Sequence, residues 1–357
     1  MKQTTNAIVM IRPVAFRMNE QTAVNNYYQK VLDGLLPSTV NAKAQQEFDT
    51  FVEKLRNVGV DVTVIEDTLE TDTPDSIFPN NWVSFHENGD VALYPMFAEN
   101  RRQERREDIL DTLEEKGFEI SNIMDYTSAE DDGYFLEGTG SLLLDRANAK
   151  AYCALSPRAD EELFIEFCED FDYAPVIFEA FQTVDGERKL IYHTNVMMCL
   201  GETFAVICAY SIDDKKERKM VLENLKADKK EVILITDAQV NNFAGNMLEV
   251  RGTNDKRYIV MSASAHQSLT PKQIEQLEKH EIFLFVIAIV PEIQLRPISI
   301  LFQKESKPLN RLENHKYHTI RMLFYHRLYL LDYLKLQRLK ESNLDLKYVR
   351  KNFLLHG

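Results

Sequence analysis

Tryptophan occurs once, cysteine four times and glycine only 12 times in these 357 residues. Four cysteines (Cys153, Cys168, Cys199 and Cys208) spread over so long a chain do not make a disulfide framework, which small secreted domains build from dense, paired thiols. Positive charge is in deficit: 42 Lys plus Arg face 56 Asp plus Glu, a net of −14. That argues against nucleic acid as a partner, because phosphate binding needs clustered cations. Long hydrophobic runs are missing too. The longest, from Ile282 to Pro291, falls well short of the ~20 residues that span a bilayer, so no membrane partner is expected. The opening segment MKQTTNAIVMIRPVAF is broken by Arg12 and Pro13. It lacks the apolar core and small-residue cleavage site of a signal peptide, and the expected location is cytoplasmic. No P-loop and no G-x-G-x-x-G is present, so no nucleotide cofactor is expected. His86, His266 and His280 lack ligand spacing, so no metal is expected either.

What the chain does have is a globular composition, 45% hydrophobic and 27% charged, enough for one large core or two ordinary ones. The charge is uneven. Residues 291–357 carry 13 Lys plus Arg against 6 Asp plus Glu, a net of +7, which leaves −14 − 7 = −21 for residues 1–290. The same tail has no alanine, no cysteine and one glycine, and it holds four of the eight histidines. It reads as an atypical basic segment with the composition of an out-of-frame translation. The domain expectation is therefore 1–290 as the folded domain and 291–357 as the tail. Ile320 to Lys340 within it can be drawn as a basic amphipathic helix, a pattern that out-of-frame sequence produces by chance.

Helical patterns are expected at about Asn41 to Asn57, Glu99 to Lys116, Arg158 to Phe171, Asp213 to Lys226 and Pro271 to His280. Asn100, Asp160 and Asp213 stand where N-caps belong, and Thr270-Pro271 supplies a cap followed by proline at the first helical position. The helix starts recur every ~55 to 60 residues, a repeat signature. Between them lie hairpin segments with turns at Asn88-Gly89, Ala147-Asn148, Gly201-Glu202 and Gly252 to Asp255. One more strand follows each helix. The unit is strand-strand-helix-strand, and four complete units plus one divided between the chain ends predict a five-bladed α/β propeller.

Alignment of the units puts Asn81, Gly140, Asn195 and Asn246 at one position, just before the first strand of each blade. Loops at that position converge on a shared cavity, and convergent polar groups make a ligand site. Glu137 and His193 stand 56 residues apart, about one repeat, so both can face it.

The ordered set MIRP (Met10 to Pro13), TAVNNYYQ (Thr22 to Gln29), DSIFPNNWVSFH (Asp75 to His86), EGTGSLLLD (Glu137 to Asp145), YHTNVMMCLG (Tyr192 to Gly201), NNFAGNMLEV (Asn241 to Val250) and MSASAHQSLT (Met261 to Thr270) resembles the arginine deiminase and amidinotransferase superfamily, the penteins. It is most similar to the bacterial branch of amidinotransferase-like, citrulline-utilisation hydrolases. The resemblance covers about residues 5 to 281. It implies a C–N hydrolase of ureido or guanidino groups on a small amino-acid substrate, with His193 as general acid and base and Glu137 holding the substrate's terminal nitrogens. Asn81 and Asn195 take the places of family carboxylates. Arg12 is a candidate for the substrate carboxylate or an edge-strand gatekeeper, and Asn246 a candidate for substrate contact. Asp75 reads as the initiator of the turn before Phe78, and Trp82 as core. A homo-oligomer is left open.

Two departures follow. Asn81, Gly140 and Asn195 are neutral where relatives that use arginine place aspartates, so a neutral ureido group such as that of citrulline, or an acylated arginine, is the expected substrate. The family's nucleophile, a cysteine in a glycine-rich loop near the C-terminus, is replaced by VPEIQLRPISILFQKES. Attack on a resonance-stabilised carbon needs a thiolate, so the alternative is a non-catalytic pentein used as a binding module. The fifth blade is expected to lack its closing strand, leaving a bare edge beside the N-terminal strand.

Overall fold

The run AIVMIR, apolar up to its last residue, forms β1 (Ala7–Arg12), buried along almost its whole length. A strand apolar on both faces belongs in the middle of a covered sheet, and β1 lies between β2 (Asp61–Glu66) and a strand from the far end of the chain. The computed structural model describes residues 2–28, 36–280, 283–287 and 300–302.

The pattern then repeats. β3 (Val83–Phe85), β4 (Asp90–Leu93) and β5 (Asn122–Asp125) form the second sheet. β6 (Leu142–Asp145), β7 (Lys150–Leu155) and β8 (Ala174–Glu179) form the third, followed by a separate hairpin of β9 (Phe181–Val184) and β10 (Glu187–Leu190). β11 (Met198–Leu200), β12 (Phe204–Ile207) and β13 (Glu231–Leu234) form the fourth. β14 (Leu248–Arg251), β15 (Arg257–Ser262) and β16 (Phe283–Ile287) form the fifth, and β17 (Ile300–Phe302) joins the first. In all five three-stranded sheets the middle strand pairs antiparallel on one side and parallel on the other. A parallel neighbour needs a crossover. Helices Pro37–Asn57, Glu107–Glu115, Glu161–Asp170, Lys215–Ala227 and Pro271–Glu278 supply the five crossovers.

Local chemistry explains the element ends. Asp160 accepts from the backbone N–H groups of Glu162 and Leu163, and Thr270 with Gln273 forms a full capping box. Asp214 caps Lys215–Ala227, one residue past the expected Asp213. The helix expected from Glu99 to Lys116 is two helices, Glu99–Arg102 and Glu107–Glu115, and Asn100 lies inside the first rather than capping it. The break lets Glu104 fold back onto Arg101 and Arg105 reach Glu130. At the Asn88-Gly89 turn, Gly89 has φ +85, and a Cβ there would sit 2.5 Å from Ser121 Oγ.

The cores lie between neighbouring sheets. Ile11 and Ile65 of the first pack with Val83 and Val91 of the second. Ala92 and Tyr94 pack with Leu142 and Cys153 of the third. Tyr152 and Phe178 of the third pack with Val206 and Ile233 of the fourth and Ile259 of the fifth. Val250 and Val260 of the fifth pack with Ile8 and Met10 of the first. Residues Met1–Glu305 form one compact unit.

One expectation is corrected. The edge of β1 is not bare: Ala7, Ile8 and Val9 pair antiparallel with Phe302, Leu301 and Ile300. Edge pairing is made by the backbone and asks only for an extended, strand-forming segment. Ile-Leu-Phe meets that requirement. The remainder of the expected tail, including the drawn helix Ile320 to Lys340, lies outside the described residues.

Candidate active site

Three turns deliver the site. Pro79–Asn81 forms a buried single-turn helix just before β3. Glu137 sits between a bridge at Leu136 and the turn Gly138–Ser141, and its backbone N–H donates to the carbonyl of Arg158 at 3.0 Å. His193 precedes the turn Thr194–Val196, which Thr194 anchors by donating to the Ser141 carbonyl and accepting from Ala154 N–H at 2.8 Å. Gly138 has φ +38, and a Cβ there would lie 2.3 Å from the Asn80 carbonyl oxygen. The turns of the second and third sheets thus touch backbone to backbone.

His193 Nε2 lies 2.7 Å from Glu137 Oε2, with both side chains buried. The other carboxylate oxygen of Glu137 accepts from Phe97 N–H at 3.1 Å. Two guanidinium groups flank the carboxylate, Arg158 at 3.4 Å and Arg101 at 3.8 Å. Arg158 also donates to the Thr22 carbonyl at 2.9 Å and to Asn25 Oδ1, and its plane lies 4.8 Å from the Tyr192 ring centroid. Arg101 donates to Asn81 Oδ1 at 2.9 Å and forms a two-pronged pair with Glu104, both contacts 2.9 Å. Asp75 completes the cluster 4.0 Å from Arg101 Nε, accepting from Asn19 Nδ2 at 2.8 Å and Thr22 Oγ1 at 3.2 Å.

Protonation follows from burial and charge. Burial alone would raise the Glu137 carboxyl, but Arg158, the His193 hydrogen bond and Arg101 override it and hold Glu137 well below the usual carboxylate range. Burial lowers His193 to about 4, against the opposing pull of Glu137. The imidazole is therefore neutral at pH 7, with its proton on Nε2 facing Glu137 and Nδ1 bare. Burial raises Glu104 to about 7, partly offset by Arg101.

Asn81, Glu137 and His193 therefore come together. Asn195 and Asn246, with Asn80, Ser84, Thr139 and Arg146, line a cavity of about 110 Å³ bordered by β3, β6, β11 and β14. Asn246 Nδ2 donates to the Asn195 carbonyl at 2.9 Å. Arg12 is bound by Asp49 at 2.7 Å and Glu66 at 3.2 Å, with a quarter of its side chain exposed. Trp82 is buried in the core between the first two sheets. Asp75 does initiate the turn, accepting Phe78 N–H on its carbonyl, while its side chain belongs to the cluster. Sequence reasoning missed Arg101, Glu104 and Arg158, which are charged yet buried. Arg101 and Glu104 lie in the run ENRRQERRED, which carries only the signal of a solvated helix face.

The four cysteines are buried. Burial pushes the thiols of Cys168 and Cys199 up to about 12 and Cys208 to about 11, and Cys153 higher still. Cys208 Sγ donates to Asp237 at 3.2 Å. Among the described residues no group of three or more His, Cys, Asp or Glu could hold a metal ion, and no helix is long and apolar enough to cross a membrane.

A family profile described as N,N dimethylarginine dimethylhydrolase, eukaryotic, matches residues 12–295. No curated protein sequence matches. Among solved structures, the substrate-bound N-terminal domain of ArgZ, a cyanobacterial arginine dihydrolase of the ornithine-ammonia cycle, is 17% identical with a TM-score of 0.59 over 79% of this chain and 91% of that one. A cysteine-to-alanine mutant of AgrE in complex with L-arginine gives 15% and 0.58, with 79% of this chain spanning only 37% of that longer protein. The dimethylarginine hydrolase of Pseudomonas aeruginosa, a cysteine-to-serine mutant complexed with citrulline, gives 14% and 0.56, covering 85% of this chain and all of that one. These structural likenesses concern the fold, and the match of the profile over residues 12–295 carries the assignment: the chain belongs to the N,N dimethylarginine dimethylhydrolase family, within the guanidine-modifying pentein superfamily.

Proposed function

We propose that the Glu137–His193 cluster binds the guanidino or ureido group of an amino acid, in a hydrolase-type site that lacks the thiol for covalent turnover. The observation that carries this is the 2.7 Å contact between His193 Nε2 and Glu137 Oε2, buried beside Arg158 and Arg101. An ionised carboxylate accepts N–H bonds from a planar nitrogen group. A neutral imidazole at its edge can hold or move a proton on a leaving amine.

Neutral Asn81, Gly140 and Asn195 point to a ureido substrate when counted alone. Asp75 and Glu104 add carboxyl groups to the cluster, and with them a cationic guanidino group, as in arginine or a methylated arginine, is the better fit. Hydrolysis through a covalent adduct needs a thiolate at the imidazole. All four cysteines sit in buried positions with raised pKa values, so the ligand is held and not turned over.

We read the five sheets as blades of a closed ring. In support, each sheet packs on the next, the fifth packs on the first, and the inner strands β3, β6, β11 and β14 border one cavity. The basic composition of 291–357 remains the reason to sequence the gene past codon 281 in its other two frames. A Gly-Gly followed by Arg-Cys there would identify a displaced nucleophile segment.

The test is calorimetric binding of L-arginine, Nω,Nω-dimethyl-L-arginine and L-citrulline to the full chain, with ammonia and dimethylamine assayed in parallel. Binding without amine release is expected. Failure of all three to bind would overturn the ligand reading, and amine release by the intact chain would overturn the assignment of a missing thiol.

A further inference from the structure

The buried cluster is not charge-balanced. Three carboxyl groups, Asp75, Glu104 and Glu137, face two guanidinium groups, Arg101 and Arg158. The side chains of Arg101, Glu104, Glu137 and Arg158 are each at most 3% exposed, and that of Asp75 is 8% exposed. Solvent and salt therefore do little to dissipate the imbalance. The imidazole of His193 adds no positive charge while neutral. A buried excess of one carboxylate has two remedies: a proton on one of the acids, or a cation brought in from outside.

The acid placed to take that proton is Glu104. It follows the short helix Glu99–Arg102, and its cationic partner among the described residues is Arg101, through Nε and Nη2, both 2.9 Å. The other charged groups acting on it are acids, Asp75 from the turn before Pro79 and Glu137 from the loop before β6, and both disfavour its ionised form. Glu137 by contrast has Arg158, Arg101 and His193. Asp75 accepts hydrogen bonds from Asn19 and Thr22.

We propose that Glu104 is the proton-exchanging counter-charge of this site, and that it makes the site discriminate a cationic guanidino ligand from a neutral ureido one. With the site empty, or holding a ureido amino acid of zero net charge, the Glu104 carboxyl keeps its proton. A guanidino amino acid brings one net positive charge, making three cations against three carboxylates. The O–H bond of Glu104 then breaks and the proton leaves to solvent, with no other bond made or broken. The proposal rests on the ligand reading above. It names Glu104 as a specificity determinant acting through Arg101 and the shared field, not as a group that touches the reacting carbon. The empty-state carboxyl near 7 sets the window: about half a proton is released per guanidino ligand at pH 7 and nearly one at pH 6.

The experiment is calorimetry of L-arginine and L-citrulline binding to the full chain at pH 6, 7 and 8 in buffers of different ionisation enthalpy, which counts protons directly. The expected result is proton release with arginine that grows from pH 8 to pH 6, and none with citrulline. Equal release with both ligands, or none with arginine, would overturn the proposal while leaving the ligand reading intact. Absence of binding by either would sink the ligand reading and the proposal together. Glu104→Gln, which keeps an acceptor for Arg101, should abolish release and narrow the preference for arginine over citrulline by about tenfold. Glu104→Asp should restore release. A structural role alone would weaken both ligands equally and leave the proton count unchanged, which would also refute the assignment. The wild-type proton count stands even if a variant fails to fold.

Discussion

A Cβ built on Gly140 would fall 2.3 Å from Asn81 Nδ2 and 2.8 Å from His193 Nδ1. Gly140 is therefore the gap through which residues from two neighbouring turns reach the same point. At this position the absence of a side chain is what lets Asn81 and His193 approach. Gly140→Ala forces one of them to move, and overpacking of this kind costs about 1–3 kcal/mol. The expected result is a lower denaturant midpoint together with loss of guanidino-ligand binding. Unchanged affinity in Gly140→Ala would show that the approach of Asn81 to His193 has no part in binding.

His193 sets an acid dependence. Its folded-state pKa of about 4 lies below the ordinary 6.5, so the unfolded chain binds a proton between those values that the folded chain refuses. Stability is thus undiminished by this group above pH 6.5. It falls as pH drops from 6.5 to 4, by about 3 kcal/mol at most. Glu104 works in the opposite sense. Its folded value, raised to about 7 from 4.5, favours the folded state as pH falls through 7. The wild-type profile mixes both, so the readout is a difference: His193→Gln should lose less stability than wild type between pH 6.5 and 5 in urea titrations. Parallel profiles for the two proteins would refute the neutral, buried imidazole.

The helices and hairpins were legible because each is dictated by near neighbours: the 3.6-residue apolar period, an Asp or Thr cap, an Asn-Gly turn. Asp160 and the Thr270–Gln273 capping box are such cases. Glu137 and His193 were legible through repeat spacing and motif order. Arg101, Glu104 and Arg158 were not, because the two arginines meet partners 20 or more residues away, such as Asn81, Glu137 and Thr22, and Glu104 is buried through its pair with Arg101. Nothing in a run of arginines and glutamates distinguishes a buried ion pair from a wet helix face. The split between Asn81 and its repeat mates Asn195 and Asn246 was invisible for a related reason. Equivalent positions in a repeat share a place on the backbone, but the partner each amide meets differs: Arg101 for Asn81, the Asn195 carbonyl for Asn246.

That split makes a testable contrast. Asn195 and Asn246 line the cavity bordered by β3, β6, β11 and β14. Asn195→Ala and Asn246→Ala should leave the guanidino-ligand Kd within about twofold, a few tenths of a kcal/mol. Asn246→Ala should cost about 1 kcal/mol of stability, because its amide donates to the Asn195 carbonyl. Arg12→Ala belongs with them. Its pairs with Asp49 and Glu66 are half-exposed, so it should cost about 0–1 kcal/mol and leave affinity alone. A tenfold loss of affinity in any of the three would place that residue at the ligand after all.

Thiol reactivity tests the proposed absence of a nucleophilic cysteine most directly. A catalytic cysteine is reactive because a neighbouring cation or imidazole lowers its pKa and solvent reaches it. Here burial does the reverse to all four thiols, with Cys168 and Cys199 pushed up to about 12 and Cys208 to about 11. Cys208 gains no help from Asp237, whose carboxylate accepts its S–H and raises it further. The native chain at pH 7.5 should therefore incorporate no iodoacetamide within minutes, with or without L-arginine, and all four cysteines should label once urea unfolds it. Rapid labelling of one thiol in the native protein, blocked by L-arginine, would mean that a cysteine reaches the Glu137–His193 pair and that the chain is competent for covalent chemistry.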